Sequence, residues 1–170
     1  GSDNYLGGQL AGRYFIEKHR NRFLFFGDTS FSEIQLRRDG LQNAVTTHGR
    51  DIQFDTISIS DFSYDAAFVA ASEYLASGRQ PPDAVFACSD TAAMAFVCAF
   101  RDAGLIAGDD VSIVGYNDIP SAAYFSPPVT TIKQDIHQAG NLLVSKLMQL
   151  LDGETVASST IRTELIVRQT

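Results

Sequence analysis

Short apolar runs alternate along this chain with longer stretches in which apolar residues recur every three or four positions. The apolar runs predict strands at residues 23–26, 54–59, 84–88 and 111–114. The longer stretches have the spacing of amphipathic helices, at residues 5–18, 31–45, 64–75 and 90–103. Because nearly continuous apolar strands alternate with helices, the pattern predicts an α/β fold, a parallel sheet with helices on both faces.

The pattern changes after the fourth strand. Pro127 and Pro128 cannot continue a helix, and residues 129–132 are predicted to be extended. Apolar residues at helical spacing then predict a long helix over residues 136–150. Residues 160–167 are predicted to be extended again.

Composition and charge narrow the class of protein. The 170 residues, 45% of them hydrophobic and 19% charged, fit one globular domain with a substantial core. No apolar run reaches the ~18 residues of a membrane span, and the first residues lack the order of a signal peptide. The two cysteines fit buried hydrophobic residues better than a disulfide, so we expect a protein of the reducing cytoplasm. The net charge of −7 disfavours nucleic-acid binding by this segment, because phosphate contacts require clustered lysine or arginine.

The chain has no pattern of metal ligands or catalytic residues. Cys88 and Cys98 stand in apolar elements and are predicted to be buried hydrophobic residues. His19, His48 and His137 have no ligand spacing, so no metal site is expected. G-x-S-x-G, G-x-G-x-x-G and G-K-[ST] motifs are missing from the sequence. We therefore expect neither a cofactor nor an enzymatic activity.

Polar residues that follow the strands are the best candidates for a binding site, because ligands of open α/β sheets lie outside the carboxyl ends of the strands. Tyr116, Asn117 and Asp118 are predicted to form such a loop after the fourth strand. Acidic residues also follow other strands, as in a phosphoacceptor receiver domain. That alternative needs paired acids after the first strand, where only Asp28 stands.

The same residues resemble a known family. D-V-S-I-V-G-Y-N-D at 110–118 and Y-F-S-P-P-V-T-T-I-K-Q at 124–134 are similar to the carboxyl-terminal signature of the lactose-repressor (LacI/GalR) family of bacterial transcription regulators. Further matching segments occur in family order at residues 3–4, 37–41, 61–62 and 82–90. The resemblance covers nearly the whole chain.

This resemblance implies an effector-binding core of the periplasmic-binding-protein-like type I, in which the chain crosses three times between two lobes. Residues 3–134 would form the carboxyl-terminal lobe, residues 135–163 would belong to the amino-terminal lobe, and residues 164–170 would return to the carboxyl-terminal lobe. The amino-terminal lobe would be incomplete. The final helix would then expose an apolar stripe at Leu143 and Leu147.

The resemblance also implies effector-binding residues. Arg37, in the family's R-x-x-G element, would direct its bidentate guanidinium to ligand hydroxyls or a carboxylate, whereas Arg38 is expected to face solvent. Phe62 matches a position at which an aromatic ring packs on the ligand. An ordinary core phenylalanine would leave the same sequence signal.

Other implied binding residues depart from the family or vary within it. Asn117 stands where many relatives carry aspartate. Asparagine at this position lacks the negative charge and has a donor that aspartate does not have. Ser89 replaces a common asparagine. Ser89 or Asp90 is also predicted to cap a helix. Gln134 matches the glutamine of the second crossing. The variable positions before the Arg37 helix are Phe31 and Glu33.

The helix at residues 91–103 is apolar around nearly its whole circumference, which contact with one sheet face does not explain. We therefore expect a partner surface and a two-fold homodimer, as in the family. The predicted interface residues are Met94, Val97, Phe100, Tyr124 and Phe125.

Together these features predict the effector-sensing and dimerisation region of a bacterial transcription regulator. A sugar, nucleoside or related metabolite would bind between the lobes, and operator DNA would be contacted only through a missing amino-terminal domain. The alternative is a periplasmic-type sugar-binding protein of a transport system, which an upstream signal peptide would favour. A receiver domain or a small enzyme is a third alternative.

Overall fold

The chain forms the strands and helices that its hydrophobic pattern predicts and adds one short helix. The computed structural model describes all residues, 1–170. The strands are β1 (Arg22–Phe26), β2 (Gln53–Ile57), β3 (Ala84–Ala87), β4 (Ser112–Tyr116), β5 (Thr130–Gln134) and β6 (Thr163–Ile166). The helices are α1 (Asn4–Glu17), α2 (Ser32–His48), α3 (Tyr64–Ala76), α4 (Asp90–Asp102), α5 (Pro120–Tyr124) and α6 (Ile136–Leu151).

All six strands belong to one sheet, in the order β2-β1-β3-β4-β5-β6. The first five strands are parallel, and β6 runs antiparallel to β5. The predicted α/β fold with a mostly parallel sheet is therefore confirmed. The hydrophobic pattern does not predict two features: the antiparallel direction of β6, and helix α5, which begins at a proline in the favoured first position.

Two adjacent residues of β4 face the two helix layers on opposite sides of the sheet, because neighbouring side chains of a strand point to opposite faces. The ring of Tyr116 packs against α1, where a Cβ atom at Gly7 would lie 2.9 Å from the ring. Gly115 faces α4, where its Cβ atom would lie 3.2 Å from that of Ala93. Helices α1 and α2 thus pack together on one face, and α3 and α4 pack together on the other.

Helix α4 is buried by its own chain. The expectation that its apolar circumference requires a partner surface is therefore wrong. It contacts β3 and β4 as well as α3. Val97 and Phe100 are each 1% exposed, and Met94 is 9% exposed. One sheet face together with α3 therefore accounts for the apolar circumference. Of the predicted interface residues, Tyr124 keeps the largest free surface at 89% exposed, and Phe125 is half-buried.

Asp90 is a buried carboxylate that ties three segments together. Its Oδ2 atom accepts a hydrogen bond from the Ile119 backbone N–H at 2.8 Å, and its Oδ1 atom accepts one from the Thr131 hydroxyl at 2.5 Å. Gly115 leaves room for this carboxylate, since a Cβ atom there would collide with Oδ1. Burial raises the pKa of Asp90 to about 6 in spite of these donors.

We expect Asp90→Asn to remove a pH dependence of folding. Because the pKa is higher in the folded chain than the ordinary 3.8, protonation stabilises the fold fully below the ordinary value, and this contribution is lost as pH rises through about 6. When the pH is lowered from about 7 to about 4, the free energy of unfolding of the parent should rise by about 2 kcal/mol relative to that of Asp90→Asn. Urea denaturation at each pH measures this difference, and parallel pH profiles would contradict the prediction.

Helix α6 buries none of its residues, and it does not pack against the sheet or the other helices. Leu143 is 72% exposed and Leu147 is 54% exposed, so the predicted apolar stripe is present. Between this helix and the segment at residues 156–161 lies a cavity of about 580 Å³. None of the helices, α6 included, has both the length and the apolar character to cross a membrane.

Candidate functional site

The carboxyl ends of the five parallel strands meet at one edge of the sheet, which is where open α/β sheets bind ligands. The predicted binding residues follow these strands in turn. Phe31 and Glu33 come after β1, and Phe62 comes after β2. The others follow or end β3, β4 and β5, namely Ser89, Asn117 and Gln134.

Arg37 extends from α2 and is held at this edge on three sides. Its guanidinium carbon lies 3.5 Å from the centroid of the Tyr116 ring. Its Nε atom donates to Oδ1 of Asn4 at 2.8 Å, and Nη1 donates to the carbonyl oxygen of Cys88 at 2.8 Å. Burial lowers the pKa of Arg37, yet a guanidinium stays protonated at neutral pH. Its Nη2 atom has no hydrogen-bond partner in the chain and remains available to a ligand.

The close approach of α1 and α2 sets the position of Arg37. A Cβ atom at Gly40 would collide with the carbonyl oxygen of Tyr5, and one at Gly8 would collide with the carbonyl oxygen of Arg37. Glycine at both positions therefore lets the two helices touch along their backbones. This contact is a structural reason for the R-x-x-G spacing, since Gly40 brings the Arg37 turn against the start of α1.

Two of the predicted binding residues form an aromatic pair. The ring centroids of Phe31 and Phe62 lie 6.2 Å apart, with a tilt of 59° between the rings. Phe31 is 52% exposed. Phe62 packs on the rim of the core and keeps part of its ring free, so it belongs to the core and also presents apolar surface.

Three carboxylates, of which Glu33 and Asp61 are exposed and Asp28 is half-buried, give this edge negative charge. Hydrogen bonds from Ser30 lower the pKa of Asp28, and hydrogen bonds from Ser63 lower the pKa of Asp61. Glu33 stands one helical turn before Arg37, and hydrogen bonds, the largest from its own backbone N–H, lower its pKa as well. All three groups are therefore ionised at neutral pH.

Asn117 and Gln134 are brought into direct contact. Oδ1 of Asn117 accepts a hydrogen bond from Nε2 of Gln134 at 2.6 Å, and Nδ2 of Asn117 remains free to donate. Asn117 and Asp118 have positive φ angles of 108° and 57°; the second is a left-handed value that aspartate tolerates, whereas few residues other than glycine adopt the first. Such backbone strain is commonly found at functional sites. Asp118 is not free for a ligand, because it forms an ion pair with Arg168.

Ser89 serves as a helix cap in this structure. Its hydroxyl oxygen accepts a hydrogen bond from the backbone N–H of Ala92 at 3.1 Å, so Ser89 is the cap and Asp90 is the first residue of α4. This settles the choice between the two predicted caps. The hydroxyl hydrogen of Ser89 remains available, and its role in ligand binding stays a prediction.

Two residues beside Arg37 differ from expectation. Tyr116 does not lie in the predicted loop, because it is the last residue of β4 and is fully buried beneath the guanidinium. Asn4 belongs to one of the segments that match the family, and it proves to be a direct partner of Arg37. Neither contact has a signal in the hydrophobic pattern, because the partners lie far apart in sequence.

Three segments run side by side at this end of the sheet. Ser2 forms a bridge with Ile161, and the backbone N–H of Asp3 donates to the carbonyl oxygen of Ile161 at 2.8 Å. Thr163 in turn pairs with Gln134, and its hydroxyl donates to the carbonyl oxygen of Asp3 at 3.1 Å. The start of the chain, the end of β5 and the start of β6 are thus joined.

Comparisons with known proteins agree with this architecture. A family model described as periplasmic binding protein-like domain matches residues 13–170. The chain is 34% identical over 144 residues to the HTH-type transcriptional repressor PurR of Photobacterium profundum. It is 35% identical over 145 residues to the ribose operon repressor of Haemophilus influenzae. These alignments cover 84% and 85% of this chain, and 43% of each repressor.

A solved structure matches over nearly the full chain. The crystal structure of the Lac repressor dimer bound to operator and the anti-inducer ONPF superimposes with a TM-score of 0.89 and 27% sequence identity. The match covers 99% of this chain and 59% of the repressor chain. This chain therefore spans about half the length of the repressors to which it is similar.

Proposed function

The chain belongs to the periplasmic binding protein-like family as an effector-binding domain of LacI-type regulators, and from this we propose that it binds a small, uncharged, hydroxyl-bearing molecule. The effector would be a sugar, a nucleoside or a related metabolite. Binding would alter the affinity of a separate DNA-binding segment for operator DNA. The relatives named above are repressors, so the transport-protein alternative is not favoured.

The observation that carries this proposal is the constrained guanidinium of Arg37. Its stacked face and two bonded nitrogens leave Nη2 as the free donor at the carboxyl edge of the sheet. A fixed donor of this kind suits a hydroxyl or carbonyl oxygen of a ligand, because little side-chain entropy remains to be lost on binding.

Charge and apolar surface argue for a neutral ligand. The ionised carboxylates of Asp28, Glu33 and Asp61 would repel a ligand that carries a phosphate ester or a free carboxylate. The pair of Phe31 and Phe62 offers apolar ring surface against which a sugar or base can pack. The free Nδ2 donor of Asn117 adds a second polar contact at the same edge.

A thermal-shift screen of the intact regulator tests the proposed ligand class. Neutral pentoses, hexoses and nucleosides are each paired with their phosphate ester, for example D-ribose with ribose 5-phosphate and adenosine with AMP. We expect at least one neutral compound to raise Tm by about 2 °C or more at saturation, while its ester raises Tm less. Stabilisation by the esters alone, or by no compound, would contradict the proposal.

The binding cleft would be completed by a second lobe. We assign residues 3–134 and 164–170 to one lobe and residues 135–163 to the other. The three joined segments at the end of the sheet support this division, since they are where the chain would pass between the lobes. The unburied helix α6 supports it as well. An effector with different affinities for the open and closed arrangements would shift their populations.

We also propose a two-fold dimer through the surface around Tyr124, which is 89% exposed beside the half-buried Phe125. Tyr124→Asp in the intact regulator should yield monomers in sedimentation velocity experiments, because a charge would be placed in an apolar interface. Ile106→Asp, at another exposed apolar position, is the matched control. A dimer that persists in Tyr124→Asp would refute this interface. Phe100 is unsuitable for the test, since a charge there would disrupt the core.

A further inference from the structure

We propose that Asn4 and Tyr116 are positioning residues for Arg37, and that Asn4 links the effector contact to the first passage of the chain between the lobes. This inference rests on the proposed function, in which Arg37 contacts the effector. It adds that the orientation of the guanidinium depends on the backbone at the very start of α1.

The side chain of Asn4 forms hydrogen bonds to three groups of the chain. It is buried, and its Oδ1 atom accepts hydrogen bonds from Nε of Arg37 at 2.8 Å and from the Tyr116 hydroxyl at 3.1 Å. An amide oxygen has two lone pairs, so both are occupied. Its Nδ2 atom donates to the carbonyl oxygen of Ser2 at 3.2 Å, which fixes the orientation of the amide.

Tyr116 supports the same arrangement from below. Its ring lies 3.5 Å under the guanidinium carbon, and its hydroxyl is bound to Asn4. Gly7 admits the ring, since a Cβ atom there would lie 3.0 Å from the hydroxyl oxygen. The guanidinium therefore cannot turn Nη2 to another direction without breaking a hydrogen bond or losing its contact with the Tyr116 ring.

Asn4 also connects this arrangement to the passage between the lobes. The residues just before it, Ser2 and Asp3, are hydrogen-bonded to the segment that contains Ile161 and Thr163. A change in the backbone of these paired segments would displace Oδ1 of Asn4 from Nε of Arg37. By linkage, an effector that holds Arg37 in place would favour the backbone arrangement seen here.

Binding measurements on the intact regulator test this coupling, with the neutral compound that gives the largest thermal shift, D-ribose or adenosine among them, as the probe. Asn4→Ala should weaken binding about tenfold, because one hydrogen bond to a charged group is lost. Asn4→Asp keeps acceptor oxygens for Arg37 and Tyr116 but loses the donor to the Ser2 carbonyl oxygen, so it should weaken binding less than Asn4→Ala does. The double variant of Asn4→Ala and Arg37→Ala should bind no more weakly than Arg37→Ala alone.

Additive losses in the double variant would overturn the inference, because a residue that acts through Arg37 has no effect once Arg37 is gone. Parental affinity in Asn4→Ala would overturn it as well. The outcomes separate it from the proposed function. If Arg37→Ala itself leaves effector affinity unchanged, the proposed function fails. If Arg37→Ala weakens binding but Asn4→Ala leaves the affinity unchanged, only the inference about Asn4 fails.

A measurement without ligand gives an independent answer. In the 170-residue chain labelled with ¹⁵N-arginine, the Nε–H group of Arg37 should exchange with solvent about tenfold faster in Asn4→Ala than in the parent. The same group should stay protected in Asn4→Asp. Arg37→Lys identifies the resonance by its loss. Equal exchange rates in parent and Asn4→Ala would refute the positioning role whatever the effector is.

Discussion

Arg37→Ala in the intact regulator is expected to weaken effector binding by about 10- to 100-fold, because hydrogen bonds to a charged group contribute about 1.5–3 kcal/mol. Its Nη2 atom is the free donor of a guanidinium that is otherwise held by Asn4, Cys88 and Tyr116. Isothermal titration calorimetry with the stabilising neutral compound measures the change. Operator affinity without effector should remain that of the parent.

Arg38→Ala is the matched control for this prediction. Arg38 stands next to Arg37 on the same helix, yet it donates to the hydroxyl of Thr56 at 3.1 Å and to Gln42 at 3.2 Å. Arg38 does not face solvent as expected, since its side chain is only 27% exposed, but its contacts are to Thr56 of β2 and Gln42 of its own helix. Removing it should therefore leave effector affinity within about twofold. Arg37→Lys adds a second comparison, because lysine keeps the charge but lacks the planar fork. An affinity of Arg37→Ala within about twofold of the parent would show that Arg37 is not a ligand anchor.

The 170-residue chain by itself is expected to bind the effector at least about 100-fold more weakly than the intact regulator, because ligand sites normally bury most of a small ligand. Arg37, Phe62, Asn117 and Gln134 lie along an open edge of the sheet and supply one wall of a cleft. The opposing wall would come from residues outside this chain. Side-by-side calorimetry of both proteins with the same compound measures the difference.

The exposed helix α6 gives a second way to test whether the isolated chain lacks part of the protein. Leu143 and Leu147 remain exposed on it, as expected of a helix whose sheet belongs to another part of the protein. Its free apolar surface should also make the isolated chain bind more hydrophobic dye than the intact regulator. Comparable dissociation constants for the chain and the regulator would show that residues 135–163 do not belong to a second lobe.

The family resemblance locates most of the candidate site along the sequence, but it does not explain the geometry of that site. The structure brings Phe31 against Phe62 and Asn117 against Gln134, and it frees Nη2 of Arg37. That these groups bind the same ligand is a proposal, which the variants described above test. Ser89 illustrates the difference between the two levels, because its capping role is visible in the chain while its ligand role stays a prediction.

The sequence by itself determined the local elements and the fold class. Continuous apolar runs such as Phe23–Phe26 can be buried only as interior strands, and helical spacing between them requires helices that cover the sheet. These signals act within about ten to twenty neighbouring residues. Such local signals do not predict the direction of β6 or the short helix α5, since each depends on contacts with the rest of the fold rather than on periodicity.

Only the tertiary structure decided how distant residues meet. It showed that α3 covers α4, so the burial of Phe100 needs no second chain. It also placed Asn4 against Arg37, 33 positions away, and against Tyr116, 112 positions away. Hydrogen bonds between such residues depend on how helices and strands pack, and that packing follows from the whole core at once. Hydrophobic periodicity records which face of an element is buried, but it does not record which side chain lies opposite.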